Sequence, residues 1–180
     1  MECEYVVSCC ETAQPEYLAE SVHRKRLLTL VKASCSIPGL CAPVELDGKH
    51  YLDGGVADAL PVHRALDKGC DRVVLVMTKP AAKVHPTDYS RLKPIMAKLY
   101  RRRYPAFYTL LMKRRERYFL QLGRILELED QGRIYVIRPE ACGVQMLEKD
   151  PQKLEEYYQH GRGAARKNWD ELMAYLKKES

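Results

Sequence analysis

The run Tyr51-Leu52-Asp53-Gly54-Gly55 holds the side chain in this sequence that is best suited to chemistry. Its acid follows an apolar stretch and precedes two glycines, which adopt backbone angles closed to other residues and let a loop or substrate approach the main chain. A carboxylate at such a turn can be partly removed from water, which favours its use as a general base. Asp53 is therefore the candidate catalytic base, although Asp-Gly-Gly on its own is also common in surface turns.

A β-hairpin is predicted to position this acid. Residues 44–52 form two short strand-like runs that meet at Asp47-Gly48, a dipeptide that supplies the positive φ angles of a tight turn. The second strand of the hairpin would then carry Asp53 to its end. A supporting helix is predicted from Ser21 to Ser34, with an apolar face made by Leu27, Leu28, Val31 and Cys35.

The residues after the acid predict an α/β architecture. Pro61 suits the first position of a helix and Gly69 suits its C-terminal cap. The continuous apolar run in residues 71–78 is typical of a parallel strand that is covered on both faces. Strand, helix and strand in this order indicate a right-handed crossover unit. From residue 89 the chain is mainly helical, with a short helix at residues 89–100, a longer single helix that starts at Pro105 and one added strand at residues 133–138. A final helix opens at Asp150-Pro151, runs to about Lys178 and carries an apolar core stripe.

Three segments taken together resemble the second half of the patatin-like phospholipases. They are Ala33-Ser34-Cys35-Ser36-Ile37-Pro38, Ala42-Pro43-Val44 and the run from Tyr51 to Val62. In that family the Asp of the Asp-Gly-Gly block pairs with a serine nucleophile, and Asp53 matches it, with Gly54, Gly55, Ser34 and Pro38 as supporting motif residues. The resemblance implies a lipid acyl hydrolase with a Ser-Asp dyad, a three-layer α/β fold with a mostly parallel sheet, and no metal or organic cofactor.

The resemblance extends over nearly the whole chain. Residues from Tyr100 to Leu176 look like the C-terminal region of a bacterial branch of the family. This implies two domains, a patatin-like α/β portion in residues 1–88 and a mainly helical region in residues 89–180. One departure is Asp58, where many relatives carry Asn.

A serine nucleophile is missing from the pattern. The family places its serine in a Gly-x-Ser-x-Gly elbow after a Gly-rich oxyanion loop, and the ten glycines lie at 39, 48, 54, 55, 69, 123, 132, 143, 161 and 163, so that no serine has a glycine two residues away on each side. Ser34 and Ser36 are poor substitutes, because they end a predicted helix without a sharp elbow. We therefore expect the C-terminal part of a longer hydrolase, inactive on its own.

A second hypothesis treats the chain as a non-catalytic module that binds a lipid surface or a partner chain. A free edge on its first strand could recruit a second copy and form a homodimer. The net charge is +6, with clusters at residues 101–103 and 113–117. Such clusters are usually solvated helix faces, but they could also face anionic headgroups. No nucleic-acid-binding motif accompanies them.

The cysteines and the hydropathy pattern favour a cytoplasmic protein. Seven cysteines lie at 3, 9, 10, 35, 41, 70 and 142 without a framework spacing, and neither a Cys-x-x-Cys nor a pair of histidines at ligand spacing indicates zinc. They are interpreted as reduced thiols, mostly in buried apolar stretches. No run reaches the roughly 18 apolar residues that are needed to cross a bilayer.

Overall fold

The computed structural model describes residues 3–80, 86–140, 144 and 147–177. Two compact units make up the chain. Unit 1 comprises Met1–Pro61 and Pro86–Leu122, and unit 2 comprises Val62–His85 and Gly123–Ser180. Cys142 lies outside the described residues. The domain boundary expected near residue 88 stays a prediction.

Unit 1 contains a four-stranded sheet with the strand order β2-β1-β4-β3. Its strands are β1 (Glu4–Cys9), β2 (Pro15–Ala19), β3 (Val44–Leu46) and β4 (Lys49–Asp53). The predicted hairpin is confirmed: β3 and β4 are joined by Asp47 and Gly48, whose φ angles are 51° and 76°. The second strand of the hairpin ends at Asp53, opposite Val7 of β1.

The sheet differs from the expected mostly parallel arrangement, because all of its pairings are antiparallel. Short turns after β1 and β3 return the chain beside the strand that it has just left, and this produces antiparallel neighbours. The first strand, β1, pairs with both β2 and β4 at Val7 and Ser8. The expectation that a strand edge could recruit a second copy stays a prediction.

Helix α1 (Arg24–Ser34) packs with a different face from the one predicted. Its buried residues are Leu30 and Ala33, whereas Leu28 and Val31 of the predicted apolar face are 59% and 38% exposed. Ala33 joins a cluster with side chains of β1, β3 and β4. Packing against the sheet therefore selected this face, which the apolar residues alone did not identify.

The remaining elements of unit 1 form its main hydrophobic core. The chain passes through 3-10 turns at Gly54–Val56 and Tyr89–Leu92, α3 (Lys93–Met96), a π-helical turn at Ala97–Arg101, α4 (Pro105–Met112) and the start of α5 (Arg114–Asp130). Phe107 and Leu111 of α4 share one buried cluster with Leu52 of β4, so the strand that precedes Asp53 contributes to the same core as this helix. The single helix predicted from Pro105 is interrupted at Lys113.

Unit 2 contains α2 (Val62–Asp67) and a two-stranded parallel sheet made by β5 (Val73–Val76) and β6 (Ile134–Ile137). The expected crossover unit is not formed, because the neighbour of β5 is β6 and not β4. Within the described residues β5 is not covered on both faces either, since Val76 is 68% exposed. An apolar run in a sequence does not distinguish an open face from a covered one.

Two helices complete unit 2, namely α6 (Pro151–Lys167) and α7 (Trp169–Lys177). Asp150 caps α6 as predicted, because its carboxylate accepts a hydrogen bond from the N–H of Gln152 at 3.0 Å. The helix ends at Lys167 instead of running on as one element. Neither helix has a buried residue among those that the structure describes, so the apolar stripe predicted as core was wrong for this part of the chain.

Of the six cysteines in the described ranges, all are free thiols. Only Cys9 and Cys10 are buried, which corrects the expectation that most are; Cys3, Cys35, Cys41 and Cys70 are exposed. Burial raises the pKa of Cys10 to about 12, so this thiol is neutral and unreactive at neutral pH. None of the described helices combines the length and the apolar character that crossing a bilayer requires.

Candidate functional site

Asp53 lies at the last position of β4, where the chain turns into the short 3-10 helix Gly54–Val56. Its N–H donates to the carbonyl of Ser36 at 2.8 Å. This bond joins the Asp-Gly-Gly turn to the segment that contains Ser34 and Pro38, and thus to the other part of the motif. The structure therefore brings the two parts of the motif together through the main chain of Ser36.

The carboxylate of Asp53 has one oxygen fixed by the protein. Oδ1 accepts a hydrogen bond from the N–H of Gly55 at 2.7 Å. Within the described residues, Oδ2 accepts none, and the residue as a whole is partly exposed. A carboxylate held at one oxygen and open at the other can accept a proton from a reacting group without losing its orientation.

Gly54 is required for close packing and not for an unusual φ angle. A Cβ atom at this position would lie 2.3 Å from the carbonyl oxygen of Val6, which real Cβ atoms do not approach so closely. At Gly55 a Cβ would lie 3.0 Å from Oδ1 of Asp53. Neither glycine has a φ angle in the left-handed region, so the expectation that both adopt backbone angles closed to other residues was wrong. The expectation that the missing Cβ permits a close approach of another segment is confirmed for Gly54.

A fully buried hydroxyl, that of Ser8, lies beneath the turn. Its Oγ donates to the carbonyl of Asp53 at 2.8 Å and accepts from the N–H of Ala57 at 3.0 Å. Ser8 thus ties the two ends of the Asp-Gly-Gly turn to β1. A buried side chain with both of its hydrogen-bonding roles used is a structural support, and its hydroxyl is not available as a nucleophile.

Asp58, where the family resemblance led us to expect Asn, holds the far end of the same loop. Its Oδ2 accepts from the hydroxyl of Tyr17 at 2.5 Å and its Oδ1 accepts from Nε2 of Gln121 at 2.7 Å. The residue is buried, and the two donors satisfy one oxygen each. The carboxylate therefore links the loop to β2 and to α5 through these two hydrogen bonds.

The basic cluster at residues 113–117 contributes to the site. Nε of Arg114 donates to the carbonyl of Gly55 at 2.9 Å, and Arg117 donates to the carbonyl of Ala57 at 3.2 Å. Arg115 pairs with Asp88 at 3.4 Å. Arg114 is half-buried, whereas Arg115 and Arg117 are exposed, as expected for a solvated helix face, although all three also bind other parts of unit 1.

Tyr89 is a buried aromatic residue close to both the acid and the arginine. The guanidinium carbon of Arg114 lies 5.9 Å from the centre of its ring. Burial raises the pKa of Tyr89 to about 12; the charge of Arg114 opposes this shift and that of Asp53 adds to it. The phenol is therefore a neutral hydroxyl at neutral pH.

The two serines of the motif show no feature of a nucleophile. Ser36 is buried, and its hydroxyl donates to the carbonyl of Lys32 at 2.7 Å. Ser34 is the last residue of α1, which ends in an ordinary helical turn. The described residues also contain no cluster of three or more His, Cys, Asp or Glu side chains that could hold a metal ion.

Sequence reasoning missed several supports of the turn. Ser8 is the only hydroxyl residue in the strand-forming run of residues 4–10 apart from Tyr5, and a polar residue in such a run is a usable signal. For Tyr17, Arg114 and Gln121 the sequence offers no comparable signal, because their partners are 41, 59 and 63 residues away.

An acid at the end of a hairpin strand, followed by a close-packed Gly-Gly turn, is the arrangement expected of a patatin-like segment. Residues 16–66 match the sequence model of the family described as Patatin-like phospholipase, and residues 104–177 match that of a Domain of unknown function (DUF6363). The family recognised from the sequence motifs is thus confirmed: the chain carries patatin-like phospholipase sequence in residues 16–66, which include Asp53, followed by a DUF6363 segment.

Two curated relatives align with about a third of the chain. Uncharacterized protein YjjU of Escherichia coli (strain K12) is 39% identical over 59 residues, which are 32% of this chain and 16% of the relative. Lysophospholipase NTE1 of Saccharomyces cerevisiae (strain ATCC 204508 / S288c) is 37% identical over 59 residues, which are 33% of this chain and 4% of the relative. The similarity therefore spans a small share of either relative.

Proposed function

We propose that Asp53 is the general base of a Ser-Asp dyad in a lipid acyl hydrolase. The observation that carries the proposal is its carboxylate, which is held at Oδ1 by the N–H of Gly55 and open at Oδ2, within the segment that matches the patatin-like phospholipases. One relative is named a lysophospholipase, which supports a carboxylic ester of a lipid as the substrate class.

The proposed reaction has two stages. A serine hydroxyl attacks the carbonyl carbon of the ester, Oδ2 of Asp53 takes its proton, and backbone N–H groups stabilise the oxyanion. The alcohol leaves with that proton, and an acyl-serine remains. Water then attacks the acyl-serine while Oδ2 of Asp53 takes a proton from it, and Asp53 returns this proton to the serine Oγ as the bond to the acyl group breaks and the fatty acid is released.

The nucleophile is proposed to lie on further polypeptide. The chain has no Gly-x-Ser-x-Gly sequence, and Ser8 and Ser36 use their hydroxyls in buried hydrogen bonds. A serine elbow encoded upstream in the same reading frame, or on a separate chain, would complete the dyad. The chain of 180 residues should then be inactive by itself.

The test is hydrolysis of a short-chain chromogenic ester by this chain and by a form extended upstream in the coding sequence. Activity is expected only in the extended form. There Asp53→Asn should lower kcat at least about 100-fold, the smallest loss typical of a missing general base. Asp71→Asn is the matched control, because Asp71 is an exposed acid in unit 2, and it should keep full activity.

Other outcomes would change the proposal in defined ways. Retained hydrolysis in Asp53→Asn would remove the acid from the mechanism. Activity of the short chain would mean that a serine within it, Ser34 or Ser36 first, is the nucleophile.

A second candidate function is a non-catalytic module that binds a partner polypeptide. It is favoured by apolar side chains that unit 2 leaves in contact with water, among them Val76 and Trp169. A lack of ester hydrolysis by both the chain of 180 residues and the extended form would favour this second function. Sedimentation with and without anionic vesicles would then distinguish a protein partner or second copy from a lipid surface.

A further inference from the structure

Three side chains at the start of α5 hold the loop that follows Asp53. They are Arg114, which binds the carbonyl of Gly55, Arg117, which binds the carbonyl of Ala57, and Gln121, which binds the carboxylate of Asp58. Their spacing of three and four residues places them on one face of the helix. All of these residues belong to unit 1. The helix residues fall in the DUF6363 match, whereas the loop falls in the patatin-like match.

Arg114 is the most constrained of the three. Its Nε donates to the carbonyl of Gly55 at 2.9 Å and its Nη1 donates to the carbonyl of Thr87 at 3.2 Å. The ring of Tyr89 lies against the guanidinium group. A planar guanidinium group can hold two carbonyls in a fixed fork, which a lysine with its single nitrogen cannot reproduce.

The contact with Gly55 links Arg114 to the orientation of Asp53. Gly55 is held at both ends, because its N–H donates to Oδ1 of Asp53 and its carbonyl accepts from Arg114. Because glycine rotates freely about φ and ψ, we expect that release of the carbonyl also loosens the N–H that fixes the carboxylate. Arg114 therefore acts on Asp53 through one glycine, without touching the oxygen that would take the proton.

We propose that Arg114 is a positioning residue for Asp53, and that the DUF6363 segment, through this arginine, completes the acid half of the patatin-like site. The inference about the acid's catalytic use rests on the function proposed above. The inference about the hold on the turn rests on the hydrogen bonds alone. The two parts are tested by different measurements.

The first measurement is amide hydrogen exchange in the chain of 180 residues. Arg114→Gln should accelerate exchange at Gly55, Ala57 and Asp58 about tenfold, the effect of losing one hydrogen bond to a charged group. Arg114→Lys should give an intermediate increase. Arg124→Gln is the matched control, because Arg124 is exposed on the same helix, and it should change nothing in the loop.

The hairpin residues 44–50 provide an internal reference, since their exchange should be equal in all four proteins. Acceleration confined to the loop supports the positioning role, whereas unchanged protection of Gly55 in Arg114→Gln would overturn it. If Arg114→Gln unfolds the chain, Arg114→Lys carries the same test, and equal loop exchange in Arg114→Lys and the parent chain would overturn the inference.

The second measurement is steady-state ester hydrolysis in the form that is active. Arg114→Gln should lower kcat about 10- to 100-fold, because a misplaced base loses the geometry of proton transfer, while KM stays within about twofold since no contact with the substrate is removed. Arg114→Lys should recover part of kcat.

The outcomes separate the two proposals. If Asp53→Asn is inactive and Arg114→Gln keeps full kcat, the positioning role in catalysis is wrong and the proposed function stands. If Asp53→Asn is fully active, the proposed function is wrong, and the exchange measurement alone decides whether Arg114 holds the turn.

Discussion

The loop at residues 53–59 and the terminal helices at residues 151–177 are stabilised by different kinds of contact. The loop is short and bound from outside: Ser8, Arg114 and Arg117 each hydrogen-bond to its main chain. The helices rely on their own backbone hydrogen bonds and on side-chain bonds to the strands of unit 2 and their ends, such as those of Tyr157 with Thr78 and Tyr175 with Arg133. Within the described residues neither of them buries a side chain, and Trp169 is 58% exposed.

This difference indicates which positions tolerate change. A loop whose groups are fixed by distant residues has one accessible conformation, so a lost contact leaves a buried group without a partner. An exposed helix offers its side chains water as an alternative partner, and its stability comes from backbone propensity and caps. Comparable substitutions in the two regions and at their supports should therefore have unequal effects, and three matched pairs test this.

The largest contrast is expected for glycine to alanine. Gly54→Ala should lower the free energy of unfolding by about 3 kcal/mol, since the new Cβ would lie 2.3 Å from the carbonyl oxygen of Val6 and the backbone must move. Gly161→Ala in α6 should raise it by about 0.5–1 kcal/mol, because no described atom apart from the adjoining backbone of its own helix lies within 4 Å of that Cβ position, and alanine is the better helix former. Urea unfolding followed by circular dichroism measures both.

The essential feature of this pair is that the two substitutions are expected to change the free energy of unfolding in opposite directions. If both substitutions destabilise the chain equally, the exposed face of α6 is covered in solution. If Gly54→Ala has no cost, the close approach of β1 to the turn does not exist in solution.

A smaller contrast is expected when a hydroxyl is removed. Ser8→Ala should cost about 2 kcal/mol, because the buried carbonyl of Asp53 and the N–H of Ala57 both lose this partner. Tyr157→Phe removes an exposed bond to the carbonyl of Thr78, which water can replace, so its cost should be about 0.5 kcal/mol. Thermal unfolding of both variants and the parent chain measures the two losses of stability. A larger loss for Tyr157→Phe than for Ser8→Ala would contradict this prediction.

The features that depend on neighbouring residues could be predicted from the sequence. The dipeptide Asp47-Gly48 is enough to predict the hairpin turn, since these two residues tolerate the positive φ angles that the turn requires. Asp150 could be predicted as the N-cap of α6 because the N–H group that its carboxylate binds is only two residues away. Asp53 could be selected as a candidate for the same reason, as the Gly55 N–H that orients it is also local.

The features that depend on distant residues could not be predicted. The choice of the Leu30 face of α1 depends on the sheet beneath it. The pairing of β5 with β6 joins segments about 60 residues apart, and periodicity in a single strand does not specify its neighbour. Arg114 belongs to a charge cluster of an ordinary kind, and only its contact with Gly55 distinguishes it.

The smallest contrast is expected for aspartate to asparagine, which changes charge at nearly constant shape. Asp58→Asn should cost about 1 kcal/mol, because the bonds from Tyr17 and Gln121 lose their charge assistance in a buried place. Asp150→Asn should be neutral, since asparagine caps a helix as well as aspartate does and the bond to Gln152 is exposed. The control is the pair of alanine variants, both of which should be destabilised, as each removes the acceptor altogether. Equal unfolding free energies for Asp58→Asn and the parent chain would mean that Tyr17 and Gln121 rearrange around the amide, and that aspartate and asparagine are interchangeable at this position of the loop.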